Sequence, residues 1–216
     1  MTMKVELINA MGSDLSVVNA ARVSFAKKSD ELDAKDLKLI NYLAEHKHWS
    51  PFAHSFLQFH IKAPIFVARQ LVKHQVGLSW NEVSRRYVDD DPEFFTPRVW
   101  RGRPTNSKQG SNGLINSPSA ADTCLKEANQ QAAKHYQMLL ALGVAPEMAR
   151  MVLPQTLMTE WYWSGSLYAF ARVCNQRLDR NTQQETQTIA AHIHKHCSDL
   201  FPHSWAALTK EANTDA

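Results

Sequence analysis

Residues 53 to 62 alternate apolar and polar side chains, with Leu57, Phe59 and Ile61 on one side and Gln58, His60 and Lys62 on the other. A period of two belongs to a β-strand with one buried face, because successive side chains leave opposite faces of the pleat. The alternation stops at Ala63-Pro64. Proline has no N–H for a ladder, but at the first turn of a helix that N–H would be idle anyway, so a helix is expected from Pro64. A half-buried strand running straight into a helix needs strands beside it and helices over its apolar face. Residues 4 to 8 read as a first strand, and residues 35 to 46 carry Leu37, Leu39, Ile40, Tyr42 and Leu43 at mainly helical spacing. Residues 121 to 142, 146 to 163, 167 to 176 and 180 to 200 read as further helices. Strands gathered early and helices late predict an α+β chain rather than alternating βαβ units.

With 216 residues, 44% of them hydrophobic, there is apolar material for one sizeable core, so a single domain over residues 1–216 is expected. The longest apolar runs, such as residues 63 to 68, are far below the roughly 18 residues that span a bilayer, and the N-terminus lacks a charged-then-apolar signal pattern. A cytoplasmic protein with no membrane partner is the expectation. Cys124, Cys174 and Cys197 form no CxxC pair and read as reduced, structural thiols. A net charge of +3 does not call for a nucleic acid polymer, although Arg98, Arg101 and Arg103 could attract a phosphorylated small molecule. Those arginines lie in residues 88 to 119, a long stretch rich in Gly, Pro, Ser and Asn, expected to form a loop that acts as a lid.

The segment from Arg69 to Tyr87 is unusually dense in hydrogen-bonding groups for a helix end running into a loop. If the helix continues, Arg69 with Lys73 and Gln70 with His74 are i,i+4 pairs on its polar side, with Phe66, Val67, Leu71 and Val72 toward the core. For an arbitrary helix such a face is merely solvated. Here the whole string resembles the signature of flavin-dependent thymidylate synthases, Arg-His-Arg, seven residues, Ser. The resemblance continues in order through residues 11–16, Ala20-Ala21-Arg22-Val23-Ser24-Phe25, residues 46–54 with His48-Trp49-Ser50-Pro51-Phe52, residues 62–70, Ala149-Arg150-Met151-Val152-Leu153-Pro154 and Asn175-Gln176-Arg177-Leu178-Asp179. It therefore covers most of the chain.

The resemblance implies an α+β fold with a central, mostly antiparallel sheet flanked by helices. It also implies a homotetramer with active sites between subunits, and a reaction on a pyrimidine deoxynucleotide using FAD, methylenetetrahydrofolate and NADPH. Flavin carries the hard step while protein groups position and polarise. By resemblance, Arg150 and Arg177 clamp the nucleotide's phosphate, where a guanidinium bonds two oxygens at once. Gln70, Glu82, Ser84 and Arg86 line the nucleotide, Arg85 contributes mostly backbone, and Ser84 approaches the reactive carbon without acting as nucleophile. Ser84, Arg177 and His48 are the implied catalytic residues; His48 and Ser50 lie beside the flavin, and Ser24, His74, Asn81 and Glu82 contact FAD. No cysteine nucleophile is required, and the Pro-Cys-Gln of conventional thymidylate synthases is absent.

Three departures stand out. Lys73-His74-Gln75 replaces Arg-His-Arg, removing two forked donors that would hold the flavin; eight residues rather than seven separate the triplet from Ser84; and Ser166, Arg172 and Asn181 stand where Asn, Asn and His are expected. Arg172 could restore the lost positive charge at the cofactor. The leading expectation is methylation of dUMP to dTMP. Its alternatives are 5-hydroxymethylation of dUMP or dCMP with the same cofactors, and an inactive protein that binds flavin or nucleotide. His192 and His196 stand one helical turn apart, as zinc ligands can, but with no HExxH glutamate and no third ligand they read as a solvated or inter-subunit face.

Overall fold

The structure is a computed structural model that describes residues 2–105 and 110–209. It is α+β, with four strands in the order β1-β2-β6-β3. These are β1 (Lys4–Met11), β2 (Phe56–Pro64), β3 (Leu78–Glu82) and β6 (Met158–Ser166). The short strands β4 (Arg101–Gly102) and β5 (Asn112–Leu114) pair antiparallel. The helices are α1 (Asp14–Arg22), α2 (Ala34–Glu45), α3 (Ile65–Leu71), α4 (Pro118–Ala141), α5 (Pro146–Ala149), α6 (Leu167–Arg177), α7 (Gln184–Leu200) and α8 (Pro202–Leu208). The chain's described residues divide into two compact units: residues 2–4, 61–72, 81–105 and 110–161 form the first, and residues 5–60, 73–80 and 162–209 the second.

The alternation read in residues 53 to 62 is β2, with Leu57, Phe59 and Ile61 buried and Gln58, His60 and Lys62 only partly so. The helix expected over 35 to 46 is α2, started by Asp33, whose carboxylate accepts the N–H groups of Lys35 and Asp36 at 2.7 and 2.8 Å. In the second unit Val17, Val18, Ile40, Leu43 and Phe52 form one buried cluster. An aromatic file from Trp80 through Trp163 and Phe170 to Phe59 forms another, with centroids 5.1–5.5 Å apart in edge-on pairs.

Three expectations need correction. Residues 146 to 163 are not one helix: α5 and a 3₁₀ turn at Arg150–Val152 end before Pro154, and Met158–Ser166 is strand β6. Proline forbids the helix to continue, and Thr159-Glu160-Trp161-Tyr162-Trp163 combines β-branched and aromatic residues with alternating burial. Helix α3 stops at Leu71, so Lys73 and His74 lie beyond it and the i,i+4 pairs with Arg69 and Gln70 do not form on a helix. Helix α7, expected from residue 180, starts later, at Gln184, because Asp179 organises a turn by accepting the Asn181 N–H.

The 88–119 segment is held at several points. Phe94 bridges to Leu157, Phe95 N–H donates to Thr156 O at 2.8 Å, and Trp100 Nε1–H donates to Asp122 at 2.7 Å. Residues 106 to 109 of the segment lie outside the described residues.

Candidate active site

In the first unit, Glu82 at the end of β3, Arg85 just beyond it and Arg150 in the 3₁₀ turn line a cavity of about 290 Å³. Lys62 from the polar face of β2 and Thr159 from β6 line it as well. Lys62 pairs with Glu93. Arg85 donates to the Asp90 carbonyl and its guanidinium lies 5.8 Å from the centroid of the Tyr136 ring. Its side chain is therefore part of the cavity wall, in addition to the backbone role implied by resemblance. Thr159, almost wholly buried, donates its hydroxyl to Glu82 Oε1 at 2.7 Å.

The second unit presents the Lys73-His74-Gln75 triplet. Gly77 takes φ +77°, a backbone that favours glycine, and closes a turn in which Leu78 N–H donates to Gln75 O at 3.1 Å. The Gly77 carbonyl accepts the Ser166 N–H, and Gly165 permits the approach because a Cβ there would lie 2.5 Å from that carbonyl. The turn sets the triplet against α6, where Lys73, His74, Gln75, Arg172 and Arg177 line a cavity of about 230 Å³. Arg177 Nε–H donates to His74 Nε2 at 2.9 Å. Guanidinium nitrogens only donate, so His74 is neutral with its proton on Nδ1. Burial first, then the charges of Arg177 and Arg172, hold its pKa below the ordinary histidine value. The wall of this cavity contains three cationic side chains and no carboxylate, a donor set suited to a phosphate.

Arg172 also lines a larger cavity in the same unit, about 710 Å³, together with His48, Trp49, Lys47 and Tyr168. The His48 N–H donates to Leu43 O at 2.8 Å, and its ring meets Tyr42 edge-on with centroids 5.9 Å apart. Trp49 leans on Tyr168 at 6.3 Å and stays more than half exposed, leaving aromatic surface at the mouth.

The remaining sequence-derived positions line none of these three cavities. Ser24 is exposed in the 3₁₀ turn Val23–Phe25, and Ser50 opens the 3₁₀ turn Ser50–His54 with Pro51 behind it. Gln70 sits in the last turn of α3, and Asn81 is exposed on β3. Ser84 Oγ receives the Arg86 Nε–H at 3.3 Å, while the Arg86 guanidinium stacks on Tyr87. Ser166 is buried and caps α6, its hydroxyl accepting the Ala169 N–H at 3.2 Å. Asn181 belongs to the turn ahead of α7.

Lys62, Thr159, Lys47 and Trp49 are cavity residues that sequence reasoning assigned no role. Only the polar parity of Lys62 in its strand hinted at exposure. Burial pushes the Cys174 and Cys197 thiols far above their ordinary pKa, which leaves neither a thiolate nucleophile. Cys124 is exposed on α4. Of the histidines on α7, His192 is exposed as expected, but His194 accepts the Trp205 Nε1–H at 3.0 Å and His196 tilts against Phe59. Among the described residues no group of three or more His, Cys, Asp or Glu is placed to hold a metal ion.

Residues 6–203 match a family model described as thymidylate synthase complementing protein. A flavin-dependent thymidylate synthase of Thermus thermophilus is 40% identical over 204 residues, covering 94% of this chain and 74% of that protein. One of Kosmotoga olearia is 38% identical over 212 residues, covering 97% and 91%. Among solved structures, the UMP/dUMP methylase PolB of Streptomyces cacaoi bound with 5-Br dUMP superimposes with a TM-score of 0.88 at 32% identity, covering 96% of this chain and 95% of that one.

Proposed function

The chain belongs to the thymidylate synthase complementing protein family, and from that premise we propose that it methylates dUMP to dTMP, taking the one-carbon unit from methylenetetrahydrofolate and reducing equivalents from NADPH by way of FAD. The observation that carries this reading is the meeting of Glu82 with Arg85 and Arg150 in one cavity. A carboxylate accepts a pyrimidine N–H, and guanidinium groups suit the phosphate of the same nucleotide. The related methylase whose structure holds 5-Br dUMP supports the choice of substrate.

Arg150 and Arg177 bind the phosphate, Gln70, Glu82 and Arg86 orient the base, and Ser84 lies at its reactive edge. The catalytic set is Ser84, Arg177 and His48. Arg85 adds its guanidinium to the nucleotide cavity. Lys73 and Arg172, in the same cavity wall as Arg177, fit an anionic cofactor, with Arg172 supplying charge in place of the arginines that Lys73 and Gln75 replace. Ser24, Ser50, His74, Asn81, Ser166 and Asn181 complete the cofactor contacts. FAD supplies the redox chemistry when bound; the protein groups hold, orient and exclude water. Residues 88–119 act as a lid, anchored at Phe94 and Trp100.

The protein works as a homotetramer in the cytoplasm. No described helix is long and apolar enough to cross a membrane.

Tritium release from C5-labelled dUMP tests the reaction. It should require FAD, methylenetetrahydrofolate and NADPH together; a yellow protein that releases none would be a binding protein rather than an enzyme.

A further inference from the structure

We propose that Thr159 is a positioning residue that holds the Glu82 carboxylate in the orientation that receives the nucleotide's base. The inference rests on the reading of Glu82 as a nucleotide ligand. Glu82 stands at the end of β3, the last strand in the sheet order, and is itself exposed. A glutamate there has three side-chain torsions to sample, and each nucleotide would have to fix them on binding.

Thr159 removes part of that freedom. It lies on β6 at the same parity as buried Trp161, so its backbone is held in the sheet and the residue is only 5% exposed. Its hydroxyl donates to Glu82 Oε1 at 2.7 Å, and the neighbouring backbone is tied by Val83 N–H to Glu160 O at 2.9 Å. A β-branched residue has few χ1 wells, which makes this donor stiff. Both residues line the cavity that holds Arg85 and Arg150. The hydroxyl also completes a hydrogen bond that would otherwise leave a buried polar group unmatched, so Thr159 and Glu82 act as a unit.

The test measures dUMP affinity by calorimetry and kcat and KM for dUMP on the FAD-loaded protein, in wild type, T159V, T159S, E82A and E82A/T159V. Valine keeps the shape and removes the donor, whereas serine keeps the donor. We expect T159V to weaken dUMP binding about five- to tenfold, with the loss falling on KM, and T159S to stay within about twofold of wild type. In the E82A background, T159V should add less than about a twofold change, because its effect passes through Glu82. FAD content and thermal midpoint report whether each variant is folded.

Equal losses in T159S and T159V, or an undiminished T159V effect in the E82A background, would overturn the positioning role. So would a T159V variant that binds dUMP like wild type. Wild-type protein that does not bind dUMP would overturn the nucleotide reading first and this inference with it. Should T159V not fold, a T159S variant with weakened dUMP binding would also refute the role, and one that binds normally while E82A does not would sustain it.

Discussion

Arg177→Ala removes two things at once. The guanidinium is the proposed phosphate clamp, and its Nε–H is the donor that keeps His74 a neutral acceptor at 2.9 Å. A charge-assisted hydrogen bond contributes about 1.5–3 kcal/mol, so dUMP affinity should fall roughly ten- to 150-fold. The second effect has a sign. Burial and then the neighbouring arginines, Arg177 ahead of Arg172, lower the pKa of His74 below 6.5. Removing Arg177 takes away one suppressing charge, so the pKa must rise. The unfolded chain takes up this proton near 6.5 while the folded chain resists, so stability from neutral His74 is full above 6.5 and is lost as pH falls toward the lowered value. The variant should narrow that window. Calorimetry with dUMP on FAD-loaded protein reads the first effect, and a histidine NMR titration of wild type and variant reads the second. An unchanged dUMP affinity with an unmoved His74 titration would refute the reasoning, whereas Arg177→Lys should retain charge and recover only part of the affinity, because it lacks the fork.

Arg172→Ala should weaken FAD binding, measured by flavin retention during gel filtration; unchanged retention would remove Arg172 from the cofactor site. Gly165→Ala should cost about 1–3 kcal/mol and lower FAD content, because the new Cβ would press on the Gly77 carbonyl and the Leu78 side chain, and a variant that unfolds and loads flavin like wild type would contradict the packing argument. Asp14, 4% exposed, accepts the N–H groups of His203 and Ser204 at 3.0 and 2.8 Å, so Asp14→Ala should cost about 2–4 kcal/mol and lower Tm by roughly 4–16 °C at fixed FAD concentration.

Where one physical rule dominated, the fold could be read from the sequence. Strict alternation placed β2, and the helical spacing of apolar residues placed α2, whereas the Asp33 cap emerges only in the structure. Strand β6 was hidden because its window opens with two genuine helical turns and because bulky aromatics such as Trp161 and Trp163 can fill a helix face as readily as a strand face. That misreading also concealed Thr159, whose side chain matters only through a strand neighbour 77 positions earlier. Glu82, Arg85 and Arg150 carried individual signals, but their convergence depends on long-range packing that no local period encodes. The i,i+4 spacing puts Lys73 and His74 on a helix that in fact ends at Leu71; the glycine pair Gly77 and Gly165, which decides the path of the triplet, acts through close approach rather than periodicity.

The altered triplet makes the identity of the product the sharpest question about this chain. Purified, FAD-loaded protein incubated with dUMP, methylenetetrahydrofolate and NADPH should yield a nucleotide whose mass exceeds that of dUMP by one methylene unit, identical to dTMP on fragmentation. A product carrying an additional oxygen at the C5 substituent, 5-hydroxymethyl in place of 5-methyl, would contradict the assignment as a methylase.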